Sequence, residues 1–257
     1  MTNATTSSTK NPSLFAGLAT VFALLGIAAA IAGPAAAQFV MLKPFQGFLL
    51  CMAGFVLGGL LALLCGIVGL LSTRPSSGRS GRGRAWFGVF VGLVLLGTLG
   101  FFATRSGNVP LIHDITTNPD DPPPFTKAAL KPDNVGRNMT YPEGAPDAAK
   151  QQRDAYPDLQ PLVLGAPPAE VFKQAKAAAQ SLGWIITSED PDSGLFEAED
   201  ISHLFRFVDD IVVRVRPKDA GSVVDVRSLS RVGKGDTGVN AARIRKFLAS
   251  LQPLRSP

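Results

Sequence analysis

The sequence predicts a three-helix transmembrane segment followed by an α+β two-layer domain, in the order helix, four-stranded antiparallel meander, helix. Three observations predict it. All 20 acidic residues lie beyond position 105, so the first 105 residues carry only apolar, polar and basic sequence. Three apolar runs of membrane-spanning length fall inside that acid-free half. From residue 167 onward, helical periodicity gives way to strand-like alternation broken by turns, then returns. The net charge of +5 therefore describes no basic surface: seven of the 25 Lys and Arg residues lie in the first half, and the remainder is slightly acidic.

Residues 1–105 form the predicted transmembrane domain, with spans at about 14–33, 47–71 and 86–104. Each matches the roughly 20 residues with which an α-helix crosses ~30 Å of hydrocarbon. None holds a charged residue, which at mid-bilayer costs at least about 2.5 kcal/mol. Ionisable residues inside spans are the usual mark of an ion or substrate path, so transport is not expected. Gly54-x-x-x-Gly58 and Gly88-x-x-x-Gly92 have the spacing that lets helix backbones approach, which points to a small self-packed bundle. Cys51 and Cys65, the only cysteines, lie about 21 Å apart along one helix. That is beyond disulfide reach, and both read as small apolar residues.

Orientation follows from Arg74, Arg79, Arg82 and Arg84, clustered between the second and third runs, against Lys43 alone in the opposite loop. Basic loops stay cytoplasmic. The N-terminus is then cytoplasmic and residues 106–257 lie on the other side. A short loop between two spans makes nucleic-acid contact the weaker account of these arginines. Ala35-Ala36-Ala37 resembles a signal-peptide cleavage site, but the apolar stretch before it exceeds the usual 7–15 residues.

Residues 106–166 read as a Pro-rich extended strap or linker. Asn118-Pro-Asp-Asp-Pro-Pro-Pro-Phe125 favours polyproline-like geometry, Tyr141-Pro142-Glu143-Gly144 a turn, and 147–155 a short helix. Leu111, Ile112, Ile115, Phe125, Tyr156, Leu159 and Leu162 predict that this segment is tacked onto the folded domain.

The soluble α+β domain is expected over 167–257. Val171, Ala175, Ala178, Ala179 and Leu182 repeat at helical spacing after Pro167-Pro168, and Gly183 stops that helix. Strands are expected at Trp184–Ser188, Leu195–Asp200, Phe205–Arg216 and Ser222–Ser230, joined by hairpin turns at Asp190–Gly194 and Lys218–Gly221. Val239–Leu251 is helical, with Ile244, Phe247, Leu248 and Leu251 on one face. Alternation places Phe196, Ala198, Ile211, Val213, Val215, Val224 and Val226 beneath the helices. Glu197, Glu199, Arg214, Arg216, Asp225 and Arg227 take the other face, most simply a solvated one with cross-strand ion pairs. A groove under the strap is the second reading of that face.

The densest polar stretch runs from Arg227 to Arg243, through Gly233, Gly235 and Gly238, into the last helix. A glycine loop before a helix N-terminus presents backbone N–H groups to an anion. Arg227, Ser230, Arg231, Lys234, Asp236, Asn240 and Arg243 are therefore the candidate ligand or anion site. The competing account is a capped strand-to-helix turn, with Asp236 or Thr237 as N-cap and the arginines paired to Asp209, Asp210 or Asp236. The spacing is not that of a Walker loop, and a meander strand excludes a dinucleotide fingerprint.

The segments Ile112-His-Asp-Ile-Thr-Thr-Asn-Pro-Asp-Asp-Pro-Pro-Pro-Phe125, Tyr156-Pro-Asp158 and Val224-Asp-Val-Arg-Ser-Leu-Ser-Arg-Val-Gly-Lys-Gly-Asp-Thr-Gly-Val-Asn240 resemble the bacterial and plastid family catalogued as domain of unknown function 1499. The resemblance covers about Pro110 to Leu251. It implies a small exported or membrane-anchored domain without an assigned activity, and favours the strap over a free linker. It carries no catalytic residues.

No catalytic residue, metal ligand set or cofactor is expected. The only histidines are His113 and His203, His113-Asp114 is a poor dyad on an extended segment, and the soluble half has no cysteine. Asp209 and Asp210 point to opposite faces. The tight His, Cys, Asp or Glu spacing of a zinc site does not occur. Asn138-Met139-Thr140 matches a glycosylation sequon, a chance match if the source is bacterial. The expectation is a multi-pass protein of the bacterial inner membrane whose periplasmic domain is non-enzymatic. Its partners are the lipid bilayer and an envelope protein, lipid headgroup or polymer, with no nucleic acid. The alternative is a hydrolase or transferase working through the Arg227–Arg243 surface.

Overall fold

A computed structural model of the chain describes residues 11–105, 109–142, 147–235 and 237–251. Glu143, Gly144, Asp236 and Arg255 lie outside the described residues. The chain divides into two compact units, residues 1–107 and 108–257.

The first unit runs β1 (Asn11–Pro12), α1 (Leu14–Gln38), α2 (Pro44–Ala53), a π-helical turn (Gly54–Gly58), α3 (Gly59–Ser72), a 3₁₀ turn (Pro75–Ser77), β2 (Arg79–Ser80) and α4 (Arg82–Arg105). Helices α2 and α3 are continuous through the π turn, giving three helices long and apolar enough to cross a membrane. They exceed the expected spans because α1 continues through Pro34 and α4 begins at Arg82. Small residues set the packing. A Cβ on Gly54 would lie 2.6 Å from the Gly26 carbonyl oxygen, and one on Gly92 would lie 2.7 Å from that of Gly59. Both glycine pairs thus face the other spans, as a self-packed bundle requires. The π turn falls where the second span meets α1.

One of the loop arginines has a local task. Arg82 Nη1 donates to the carbonyls of Leu70 and Thr73, at 3.3 Å each, and so caps the C-terminus of α3. At the same end Ser13 caps α1 and bonds the Ser72 hydroxyl at 2.7 Å, and β1 pairs with β2. Ala35–Ala37 lie in the last turns of α1, with Ala37 buried.

The second unit contains β3 (Asp114–Thr116), 3₁₀ turns at Ala128–Leu130 and Pro132–Asn134, and α5 (Ala148–Ala155). These are followed by β4 (Leu162–Leu164), α6 (Pro168–Ser181), β5 (Ile185–Asp190), β6 (Leu195–Ile201), β7 (Val208–Lys218), β8 (Gly221–Ser230) and α7 (Val239–Leu251). The sheet order is β3-β8-β7-β6-β5, all antiparallel, with β4 also paired to β8. The expected meander is β5–β8. Phe205–Phe207, expected within its third strand, lie in the β6–β7 loop instead, where Arg206 takes φ 61° and breaks the extended run. Gly194 closes the β5–β6 hairpin at φ 65°, its carbonyl accepting from Val215 N at 2.8 Å.

Two strands come from the expected strap. Both lie along the outer edge of β8, β3 opposite Arg227–Leu229 and β4 opposite Ser222–Val224. The unit therefore begins at residue 108 rather than 167, and most of residues 109–166 belong to the fold. Gln152 of α5 completes the outer side of β3. Its Oε1 accepts from Thr116 N at 2.9 Å and its Nε2 donates to Thr116 O at 2.7 Å, imitating a strand backbone.

The helix-covered face is as expected. Phe196, Ile211, Val213, Val224 and Val226 pack against Val171 and Ala175 of α6 and Ile244 and Phe247 of α7. Trp184 stacks on Phe247 with centroids 4.9 Å apart. The other face is not the solvated mosaic that alternation suggested. Glu197, Asp225 and Arg227 are buried there, and Phe125, Ala128 and Met139 of the strap pack on Val212 and Leu229. Alternation tells which side of a sheet a charge occupies, not what covers that side. The strap makes a third layer over the two expected.

Candidate functional site

The charged end of the sheet is built from an awkward register. Strands β6 and β7 set Glu199 opposite Asp210, and Asp200 opposite Asp209. Like charges directly opposite destabilise a sheet. One arginine resolves each pair. On the strap face, Arg231 holds Asp210 with two bonds of 2.9 and 2.7 Å and also bonds Glu199. Lys131 adds a 2.5 Å contact to Glu199, and Asn134 donates to Asp210 at 3.0 Å. On the helix face, Arg243 reaches from α7 to Asp200 at 2.7 Å and Asp209 at 2.6 Å.

The titration of these groups follows. Burial raises the Glu199 carboxyl, but hydrogen bonds and charge from Lys131 and Arg231 outweigh it, leaving the group below its ordinary value. Burial wins at Asp209, whose carboxyl is pushed up despite Arg243 and Ser230. Arg231 is raised by its bonds to Asp210.

Arg227 is the largest fully buried side chain among the described residues. Its Nε and Nη2 make a bidentate pair with Asp114, both at 2.8 Å, and Nη2 also donates to the Met139 carbonyl at 2.9 Å. The guanidinium lies 4.8 Å from the Phe125 ring centre and 5.5 Å from that of Tyr141. Above it opens a cleft of about 330 Å³ walled by Pro122, Pro124, Phe125, Ala129, Met139, Thr140 and Tyr141. Burial, reinforced by the Asp114 charge, pushes the Tyr141 phenol up to about 12.

The sheet separates the expected site residues. Arg227 and Arg231 lie on the strap face, whereas Ser230, Asn240 and Arg243 lie on the helix face. Asn240 donates to Ser230 Oγ at 2.9 Å and to the His113 carbonyl at 3.1 Å, and accepts from Ser228 Oγ at 2.6 Å. It ties α7 to β8 and to the residue before β3. Lys234 is exposed, and Asp236 lies outside the described residues. Thr237 is not adjacent to the helix: Gly238 precedes it, its carbonyl accepting from Ala242 N at 3.0 Å.

Sequence reasoning missed Asp114 and the role of Glu197. The Glu197 carboxylate accepts from the backbone N–H groups of Thr126, Lys127 (3.1 Å) and Ala128 (2.6 Å) and from Thr126 Oγ1 (3.0 Å). It anchors the strap to the sheet. No cluster of three His, Cys, Asp or Glu able to hold a metal occurs among the described residues.

Three apolar helices followed by an antiparallel α+β domain sealed by a strap define the class of this chain. The family model described as "Protein of unknown function (DUF1499)" matches residues 114–251, and the chain belongs to that family. The match starts at the first residue of β3 and ends at the last of α7, so it includes the strap. Among curated proteins nothing matches the chain.

Proposed function

We propose that the chain is a multi-pass protein of the bacterial inner membrane, with its N-terminus and arginine loop in the cytoplasm. Its α+β domain then stands on the periplasmic side as a non-enzymatic binding module for an envelope protein, lipid headgroup or polymer. The observation that carries the binding reading is the commitment of the charged groups. Arg227, Arg231 and Arg243 each hold carboxylates at 2.6–2.9 Å, so the polar stretch supports architecture more than turnover. The cleft over Arg227, with proline and aromatic walls, is the surface on which a partner is sought.

Photo-crosslinking from Thr140, at the rim of that cleft, in native membranes tests this. A discrete adduct that disappears on Tyr141→Ala supports a binding module. The opposing result is no adduct together with ester or phosphoester hydrolysis by the purified full chain that Arg243→Lys abolishes. That outcome would favour a hydrolase or transferase.

A further inference from the structure

The loop between the second and third spans concentrates positive charge without a counter-charge of its own. Arg74, Arg79, Arg82 and Arg84 fall within residues 74–84, and the first acidic residue of the chain is Asp114, beyond the unit that ends at residue 107. The loop is held folded. The bond from Arg82 to the Thr73 carbonyl at 3.3 Å closes its neck, bringing the backbone beside Arg74 to the turn that carries Arg84. Ser77 Oγ donates to the Arg74 carbonyl at 2.7 Å, and Gly78 reverses the chain at φ 64°. Ser13 N donates to Ser80 O at 3.0 Å, which fixes Arg79 beside β1. Arg82 is committed to the end of α3, whereas Arg74, Arg79 and Arg84 reach solvent. No carboxylate side chain of the same unit exists to neutralise them. Like charges gathered on a folded loop repel one another, so an anion from outside the unit stabilises the arrangement.

The surface beneath the loop identifies that anion. The three helices that reach this end present Leu14, Leu71 and Trp86 at 71%, 52% and 55% exposure. Leu14 opens α1, Leu71 is the penultimate residue of α3, and Trp86 follows Arg82 by about one helical turn. An exposed indole just inside a span is the placement of an interfacial anchor, which sets the arginines at the level of lipid headgroups. A guanidinium grips a phosphate through two parallel N–H donors, and basic clusters flanking a span draw anionic lipid. Inorganic phosphate satisfies the guanidinium groups alone, whereas the apolar collar suits a ligand that also carries acyl chains.

We propose that Arg74, Arg79 and Arg84 bind the phosphate headgroup of an anionic phospholipid whose acyl chains lie along Leu71 and Trp86. The site rests on the three-span anchor but not on its orientation, and it is independent of the cleft over Arg227. The bound lipid supplies the counter-charge that the acid-free unit lacks and braces the ends of α3 and α4 against each other.

Native mass spectrometry of the full chain in neutral detergent, where orientation has no meaning, tests this with phosphatidylglycerol and phosphatidylcholine added in turn. Phosphatidylglycerol adducts should be several-fold the more abundant. Arg74→Gln, Arg79→Gln and Arg84→Gln combined should reduce them to the phosphatidylcholine level. The three lysine replacements, which keep charge but lose the fork, should retain part of the binding, and Lys43→Gln in the opposite loop should change nothing. Equal binding of the two lipids would overturn the proposal, as would phosphatidylglycerol adducts indifferent to the triple glutamine variant or lost equally with Lys43→Gln. Thermal melts of the wild type do not depend on how well a variant packs. Phosphatidylglycerol should raise the melting temperature well beyond any effect of inorganic phosphate at equal concentration. A shift reproduced by phosphate alone would contradict a lipid site, and a larger shift with a single-stranded oligonucleotide would assign the loop to nucleic acid instead. Alkaline carbonate extraction separates the two claims. A chain stripped from membranes contradicts the anchor and the lipid site together, whereas a retained chain without preference for phosphatidylglycerol contradicts the site alone.

Discussion

Glu199 and Asp210 face each other across neighbouring strands, two carboxylates in register, and Arg231 closes the gap between them. Its substitution therefore unbalances the sheet as well as the loop that carries it. Arg231→Met should lower stability by about 3 kcal/mol or more, because both partners remain largely buried. Adding Asp210→Asn should recover part of the loss. The pH dependence has a definite sign. The folded-state value of Glu199 lies below its ordinary one, so its contribution in the wild type is complete above about pH 4.3 and is lost as the pH falls through the folded value. In Arg231→Met the uncompensated carboxylates gain from protonation, so its deficit should shrink on acidification. Thermal melts in detergent at neutral and acidic pH, followed by Trp184 fluorescence, measure this. A deficit that grows on acidification would refute the clamp.

Asp114 and Arg227 join the first strand of the domain to β8, 113 residues away in the chain. Either single truncation, Asp114→Ala or Arg227→Met, should cost about 3–5 kcal/mol by stranding a buried charge. The double substitution Asp114→Leu with Arg227→Met should cost much less than the two combined. Denaturant unfolding of the four forms gives the coupling directly, and additive losses would show that the pair is not a unit.

Glu197 holds the strap by accepting from the backbone N–H groups of Thr126–Ala128. Glu197→Ala is expected to cost about 1–3 kcal/mol and to expose the 3₁₀ turns. Limited proteolysis should then cut within residues 122–135 well before the rest of the domain is attacked. Unaltered cleavage kinetics would mean that the apolar contacts of Phe125 and Met139 suffice.

In the membrane half, Gly58 has no room for a side chain, since a Cβ would collide with Gly26. Gly97, by contrast, meets nothing within 4 Å. Gly58→Leu should force the first two spans apart and lower the melting temperature in detergent, whereas Gly97→Ala should leave it unchanged. Equal effects would contradict the self-packed bundle.

Much of this was legible in the sequence because it depends on periodicity. The absence of acids before position 105 located the spans, glycine spacing located their contacts, and alternation from Phe196 to Val226 identified the buried face. What was not legible depends on contacts across long stretches of chain. Nothing local tells that Asp114 pairs with Arg227, or that Thr126–Ala128 seat on Glu197. The proline-rich segment therefore read as a strap beside a domain, although it supplies two strands and a covering layer. The candidate site suffered similarly. Its residues are close in sequence, but successive residues of β8 point to opposite faces, and the sheet parts Arg227 and Arg231 from Ser230, Asn240 and Arg243. The acid–base mosaic and its ion pairs, including those of the arginines with Asp209 and Asp210, were visible, but the burial of Glu197, Asp225 and Arg227 beneath the strap was not.

The central claim is that three spans hold the α+β domain on the non-cytoplasmic side. Thiol labelling in intact bacteria tests it most directly, using a membrane-impermeant maleimide on the full chain with Cys51→Ala and Cys65→Ala. A single cysteine replaces either Ala220 in the domain or Ser76 in the arginine loop, both exposed. With the outer membrane alone permeabilised, the account predicts labelling at 220 and none at 76 until the inner membrane is opened. Labelling at 76 with protection at 220 would contradict it.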